Sequence, residues 1–250
     1  MLPLSEYERL RARPIDKPVM TQKWRSLLFM HFPVNPSEIQ DHLPPGLIVD
    51  TYPDETGREM AWIGLVPFRM EDVKFSRIPK IPGMNAFPET NVRTYVHRMG
   101  RQPGVWFFSL DAGNAIACKF ARKFYHLPYF PAKMEVKDKS KTIRYKSKRK
   151  KGLASVKVKC SLGSPMPQPK PGSLEFFLLE RYLLYSLNGE RIMIGRVHHE
   201  PYQVESVDLC TVKETVLEAS EIEAKPFKSF LFCRGVDVEV FALQGELRQL

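Results

Sequence analysis

Between Lys133 and Lys159 the chain alternates charged and apolar residues with a period of two. Met134 and Val136, Ile143 and Tyr145, and Val156, Val158 and Cys160 alternate with charged residues. Successive side chains of a strand point to opposite faces, so this pattern demands a sheet with one face buried and one in water. A helix would scatter the same residues around its whole surface. The segment reads as a hairpin, Lys133–Ser147 against Leu153–Leu162, with Lys150-Lys151-Gly152 near the turn. It holds twelve Lys/Arg and two acids, Glu135 and Asp138, and so carries the whole net charge of +10. The rest of the chain is neutral. A uniformly basic nucleic-acid surface is thereby excluded, leaving one basic element.

Other strand signals also arrive in pairs. Trp24–Phe32 and Met60–Met70 are apolar runs, with Pro67 marking a bulge or an edge. Thr90–Arg98 and Val105–Leu110 form a hairpin around Met99–Gly104. Arg181–Leu187 and Arg191–His198 flank Asn188-Gly189, a two-residue turn signal. Phe227–Cys233 and Val236–Leu243 read as closing strands.

Helix signals are fewer. Ser5 caps a short helix to Arg13, and Asn35-Pro36-Ser37-Glu38 opens another that Pro44-Pro45-Gly46 ends. Asp111 caps a helix from Ala112 to Tyr125, with Ile116, Phe120 and Phe124 as its apolar stripe. Ser173 caps one or two turns, and Val212–Ala219 reads as helical. Val73–Pro88 is a proline-rich rim loop.

The expected class is α+β and β-dominated, a barrel or sandwich with a few helices. Residues 1–250 form one domain, with 1–19 as an N-terminal extension. A chain of 250 residues buries a core without metal or disulfides. Cys118, Cys160, Cys210 and Cys233 form no CxxC pair, which argues against a zinc site or a disulfide framework and leaves one bridge open. No apolar run spans a bilayer and Met1–Arg13 is no secretion signal, so a cytoplasmic protein is expected, with no membrane partner.

Candidate chemistry is sparse. Glu89, Asn91, Arg93 and Tyr95 share one face of a strand, which either meets water or lines a cavity where acid and base neutralise each other. Glu180-Arg181-Tyr182 interrupts an apolar run, so its charges either pair in the interior or mark a pocket wall. His198 and His199 point to opposite faces and cannot easily share a metal, though one could work as an acid or base. No nucleophile elbow, phosphate loop, zinc motif or dinucleotide fingerprint occurs. No cofactor or metal is expected.

From Gln22 to Leu243 eight pieces occur in order: HFPVNPSEIQDHLPPGLIVDTY, AWIGLVPFRM, AFPETNVRTYV, PGVWFFSLDAGN, FYHLPYFPAKM, GSLEFFLLERYLLYS, RVHHEPY and GVDVEVF. On these the chain resembles the YqjF-like family of uncharacterised bacterial proteins, which looks related to the acetoacetate decarboxylase-like superfamily. The resemblance implies a mixed β-barrel with a cone-like central cavity and peripheral helices. Acetoacetate decarboxylase uses a lysine amine of lowered pKa that forms an imine with the substrate ketone. Its two lysines follow a helix-ending turn. Here the comparable stretch is Tyr125–Phe130, and Tyr129 and Phe130 stand in the lysine positions. An aromatic ring cannot form an imine. Glu89 matches a pocket glutamate of the decarboxylase.

The leading expectation is a protein binding a small polar or anionic molecule, with Glu89, Asn91, Arg93, Glu180 and His198 in the pocket and Tyr129 at its rim. Arg93 would orient the ligand, and any acid–base group would be Glu89 or His198. One alternative is a lyase acting on a small keto acid through Lys133. Another is nucleic-acid binding through hairpin 133–159, against which the scarcity of aromatics weighs. A homo-oligomer is compatible with all three.

Overall fold

The computed structural model describes residues 2–77 and 84–246. In chain order the elements are α1 (Leu4–Arg11), β1 (Met20–Val34), α2 (Pro36–Gln40), β2 (Ile48–Val49), β3 (Tyr52–Pro53), β4 (Glu59–Phe75), β5 (Ala86–Arg98) and β6 (Arg101–Ala112). There follow α3 (Ala115–Tyr125), β7 (Tyr129–Lys139), β8 (Thr142–Arg149), β9 (Ser155–Pro165), α4 (Leu174–Leu179), β10 (Leu183–Asn188), β11 (Arg191–His198), β12 (Val204–Glu214), a 3-10 turn (Glu218–Ser220), β13 (Ser229–Val240) and β14 (Gln244–Glu246). The β-dominated α+β class is as expected. Among the described residues no helix is long and apolar enough to cross a membrane.

The sheet is ring-like. The path β6-β7-β8-β9-β12-β13-β1-β4-β5 returns on itself because β5 also pairs with β6. A second path through β10 and β11 joins β6 to β13. Most pairings are antiparallel, while β6 runs parallel to β7 and β10.

Strands β1, β4 and β5 form a wall buried on both sides. On one side Leu28, Met30, Phe32, Ile63, Leu65, Val92 and Val96 pack together. On the other lie Leu27, Phe29, Val66, Phe68, Met70 and Phe87. Alternation along each strand sends neighbours to opposite cores. In the row Glu89, Asn91, Arg93, the first two are therefore buried and Arg93 is partly buried. The opposite face, Thr90, Val92 and Thr94, is buried.

Several boundaries differ from expectation, each for a local reason. The basic segment is a three-stranded meander, because a turn at Ser140-Lys141 divides it into β7 and β8 before β9 follows. Strand pairing with β9 carries β12 to Glu214, where a helix was expected. One long strand, β13, takes the place of two closing strands, since its two halves are held end to end along β1. Strands β4 and β5 extend into the expected rim loop; Pro79 and Pro82 lie outside the described residues. Helix α1 starts at Leu4, so Ser5 is inside it rather than at its cap.

The expected N-terminal extension is docked on the ring. Tyr7 and Leu10 are buried, and Arg196 donates to the carbonyl oxygens of Arg9, Leu10 and Ala12. Cys160 and Cys210, directly opposed on β9 and β12, are disulfide-bonded.

Asp111 is the most informative correction. Asn114, not Asp111, caps α3: its side-chain oxygen accepts from the backbone N–H groups of Ile116 and Ala117. The helix then buries Ala117 and Cys118, while Ile116 and Phe124 stay about half exposed. Asp111 stays in β6 and accepts from Arg149 Nε at 2.6 Å, both side chains being buried. The Arg149 guanidinium lies 3.9 Å from the centre of the Phe130 ring, so cation and ring share one site.

Removing one member of a buried ion pair leaves an uncompensated charge. Arg149→Met is expected to lower unfolding stability by about 3–5 kcal/mol, and adding Asp111→Leu is expected to recover most of that loss. Urea unfolding of the single and double variants measures both. A single variant within about 1 kcal/mol of wild type would show that the pair is not the structural tie described here.

Candidate functional site

Alternation on β5 places Glu89, Asn91 and Arg93 in one inward row. Registry with β4 sets them opposite Phe68, Val66 and Gly64. The row faces a cavity of about 140 Å³. Its walls are mainly apolar, with Leu27, Phe29, Val66, Phe68 and Leu110 inside and Met20, Phe75, Met84 and Phe120 also contributing. The polar groups include Glu89, Asn91, Arg93, Tyr129, Gln22 and Arg181, with Trp24, Tyr125 and Tyr202 also in the lining. An apolar space with a few converging polar groups is the usual form of a small-molecule site.

Tyr129 and Phe130 begin β7 on opposite faces, so only Tyr129 enters the cavity. Its hydroxyl donates to Glu89 Oε2 at 2.7 Å. Burial pushes the Glu89 carboxyl up to about 7; hydrogen bonds from Tyr129 and Asn91 oppose that rise, and the Asp111 charge adds to it. Burial, and then the neighbouring Glu89, also hold the Tyr129 hydroxyl well above its ordinary range. Glu89 therefore changes charge near neutrality while Tyr129 remains a donor.

Arg93 lies deeper along the row. Its guanidinium carbon is 5.5 Å from the ring centre of Phe29 and 5.6 Å from that of Tyr95. Nη2 donates to the Tyr95 hydroxyl at 3.3 Å and approaches the Leu178 carbonyl oxygen at 3.5 Å. The Tyr95 hydroxyl in turn lies 2.8 Å from His31 Nε2, and burial followed by the Arg93 charge keeps that imidazole neutral. No carboxylate among the described residues forms an ion pair with Arg93. Its Nε and the Asn91 Oδ1 are both buried without a hydrogen-bond partner. The expected neutralisation of Arg93 by Glu89 does not occur, because Tyr129 and Asn91 occupy the carboxyl instead. The other cavity cation is ion-paired: Arg181 Nη1 meets Asp50 Oδ2 at 2.7 Å, with both side chains almost wholly buried, although Nη2 has no hydrogen-bond partner.

The remaining candidates sit elsewhere. Glu180 is buried at the end of α4, where it accepts from the Tyr182 hydroxyl, and it does not line the cavity. Its neighbour Arg181 does, a member of the triplet not singled out by strand periodicity because 180–182 is not a strand. His198 is half-buried on β11 opposite Glu239, away from the lining. His199 is the core histidine, packed between the rings of Tyr182 and Tyr202, and burial pushes it down to about 4. Lys133 is exposed on β7 opposite Lys148. Among the described residues that line the cavity there is no lysine.

Comparison with known proteins accords with this architecture. Acetoacetate decarboxylase from Legionella pneumophila superposes with a TM-score of 0.69 at 12% identity, covering 98% of this chain and 95% of that one. The enduracididine biosynthesis enzyme MppR, solved in complex with pyruvate, superposes at 0.62 with 13% identity over 94% of this chain and 92% of its own. These likenesses are of fold. In sequence, the uncharacterized protein YqjF of Bacillus subtilis (strain 168) is 37% identical over 221 residues, 86% of this chain and 88% of that protein. The family model DUF2071, described as an uncharacterized conserved protein, matches residues 21–237. With most of its length matched by that model and by that relative, the chain belongs to the DUF2071 family.

Proposed function

We propose that the cavity binds a small carboxylic or keto acid with an apolar body, its carboxylate at Arg93. The observation that carries this reading is a guanidinium inside an apolar cavity with no carboxylate partner. A partly buried charge with no carboxylate beside it is free to pair with an incoming anion. Bidentate geometry suits a carboxylate to Arg. The cavity volume is near the roughly 150 Å³ that accommodates a benzene ring, so the body is a short branched chain or a single ring. A neighbour of like fold is solved with pyruvate, itself a keto acid.

Asn91 and the Glu89–Tyr129 pair would lie along the ligand beyond its carboxylate. A carboxyl that titrates near neutrality beside a fixed phenol donor is equipped to move a proton at a carbonyl or its neighbouring carbon. Should turnover occur, Glu89 is the acid–base group of this reading. Imine formation would require an amine, and the lining residues named above offer none.

Trp24 lines the cavity and provides a fluorescence readout. The 4-methyl-2-oxopentanoate ion is expected to bind, the neutral 4-methyl-2-pentanone more weakly, and Arg93→Met to weaken the acid by roughly 10- to 100-fold, the scale of a lost charged hydrogen bond. Equal affinity for acid and ketone, or an indifferent Arg93→Met variant, would contradict the assignment.

Glu89 yields a second expectation. Its folded value of about 7 lies above the ordinary 4.5, so the native state holds a proton that the unfolded chain releases between those values. The stability gained from the neutral carboxyl is complete below about 4.5, declines as pH rises, and is absent above about 7. Glu89→Gln keeps a neutral side chain throughout. Relative to wild type it should therefore gain about 2–3 kcal/mol between pH 5 and pH 8 in urea unfolding. A difference that does not change with pH would show that Glu89 is already ionised at pH 5.

A further inference from the structure

The outward positions of β7, β8, β9 and β12 form a cationic face held in register. Lys133 lies opposite Lys148, Lys146 opposite Lys157, Lys157 opposite Lys213, and Arg144 opposite Lys159. Like charges directly opposed across a sheet oppose folding. With Lys137 and Lys139 the face carries nine cations against two acids, Asp208 at the Leu209 end and Glu135, which is already engaged by Lys137 at 2.8 Å and Lys146 at 3.8 Å. The chain elsewhere balances its charge, so this concentration is local. Such a face is complementary to a dense array of anions.

The chemistry of the face discriminates among polyanions. Its outward side chains are almost all lysine, a point charge, with a single arginine. No aromatic, asparagine or glutamine stands at these positions to stack on a base or read its edge. Two large aliphatic side chains are instead open to solvent. Leu209 on β12 is 68% exposed at one end, opposite Ser161. Leu153 is 89% exposed at the other, in the loop after Lys150 and Lys151. A nucleic-acid backbone gains little from aliphatic contacts, whereas the headgroup–acyl boundary of a bilayer buries them.

We propose that this face docks on an anionic lipid bilayer, with the lysines over the headgroups and Leu153 and Leu209 entering the boundary beneath. Adsorption of this kind needs no spanning segment, and it is independent of the cavity reading. Combined electrostatic and apolar contacts give reversible attachment that salt weakens.

Flotation of the full-length protein with phosphatidylcholine vesicles, with and without about 30% phosphatidylserine, tests this. Binding is expected only with the anionic lipid, and it should fall at least roughly 10-fold in about 0.5 M salt. Replacing Lys146, Lys157, Lys159 and Lys213 by Gln is expected to abolish it. Leu153→Ser with Leu209→Ser should weaken vesicle binding by roughly 3- to 10-fold while leaving any binding to duplex DNA unchanged. All these side chains point outward, and thermal melting checks that the variants fold. Equal binding to neutral vesicles, no binding, or tighter binding to duplex DNA that ignores the leucines would each overturn the proposal.

Discussion

Charge buried in an apolar interior has to be matched, and the interior of this ring-like sheet is organised around that demand. Three inward-facing guanidiniums illustrate it. Arg149 meets Asp111 and lies over Phe130. Arg181 meets Asp50. Arg93 has ring faces, a phenol and a backbone oxygen around it, but no carboxylate. The two matched cations tie elements together: Arg149 joins β8 to β6, and Arg181 joins the end of α4 to the segment after β2. The third faces the cavity. The scaffold pairs its two buried cations with carboxylates and leaves the partly buried Arg93 without one, which is the feature the proposed anion site rests on.

The same wall explains why one strand serves both fold and site. Both sides of β5 are covered, so Thr90, Val92 and Thr94 hold the core while Phe87, Glu89, Asn91 and Arg93 line the cavity. The neighbouring Tyr129 and Phe130 are divided in the same way. Tyr129 reaches Glu89, while Phe130 supports Arg149 on the other side of β7. A substitution that shifts the register of β5 or β7 by one residue would exchange a structural side chain for a cavity one.

Much of this was legible in the residues. Period-two alternation grouped Glu89, Asn91 and Arg93 on one face of β5, without deciding whether that face met water, and identified the cationic face of the meander. Asn35 and Ser173 capped their helices as their side chains suggest, and Asn188-Gly189 made its hairpin. Long-range pairing was not legible. Asp111 has the chemistry of a helix cap, but Arg149, 38 residues later, claims it first. Val212 and its neighbours suit a helix until β9 supplies strand partners. Glu89 and Arg93 looked like mutual partners by spacing, yet Tyr129, remote in sequence, donates to the carboxyl. Glu180 and His198 carry polar chemistry that other core residues, or the outer side of β11, absorb. In each case local preference was overridden by a contact between distant segments.

The most direct measurement is a crystal structure of the protein soaked with a bromine-labelled short carboxylic acid. Anomalous scattering from the bromine fixes the direction of the bound molecule. The expected density has the carboxylate in contact with the Arg93 guanidinium and the bromine among Phe68, Met70 and Phe87. A molecule seated with its carboxylate toward the Phe75–Phe120 end, or an empty cavity at saturating acid, would contradict the role assigned to Arg93.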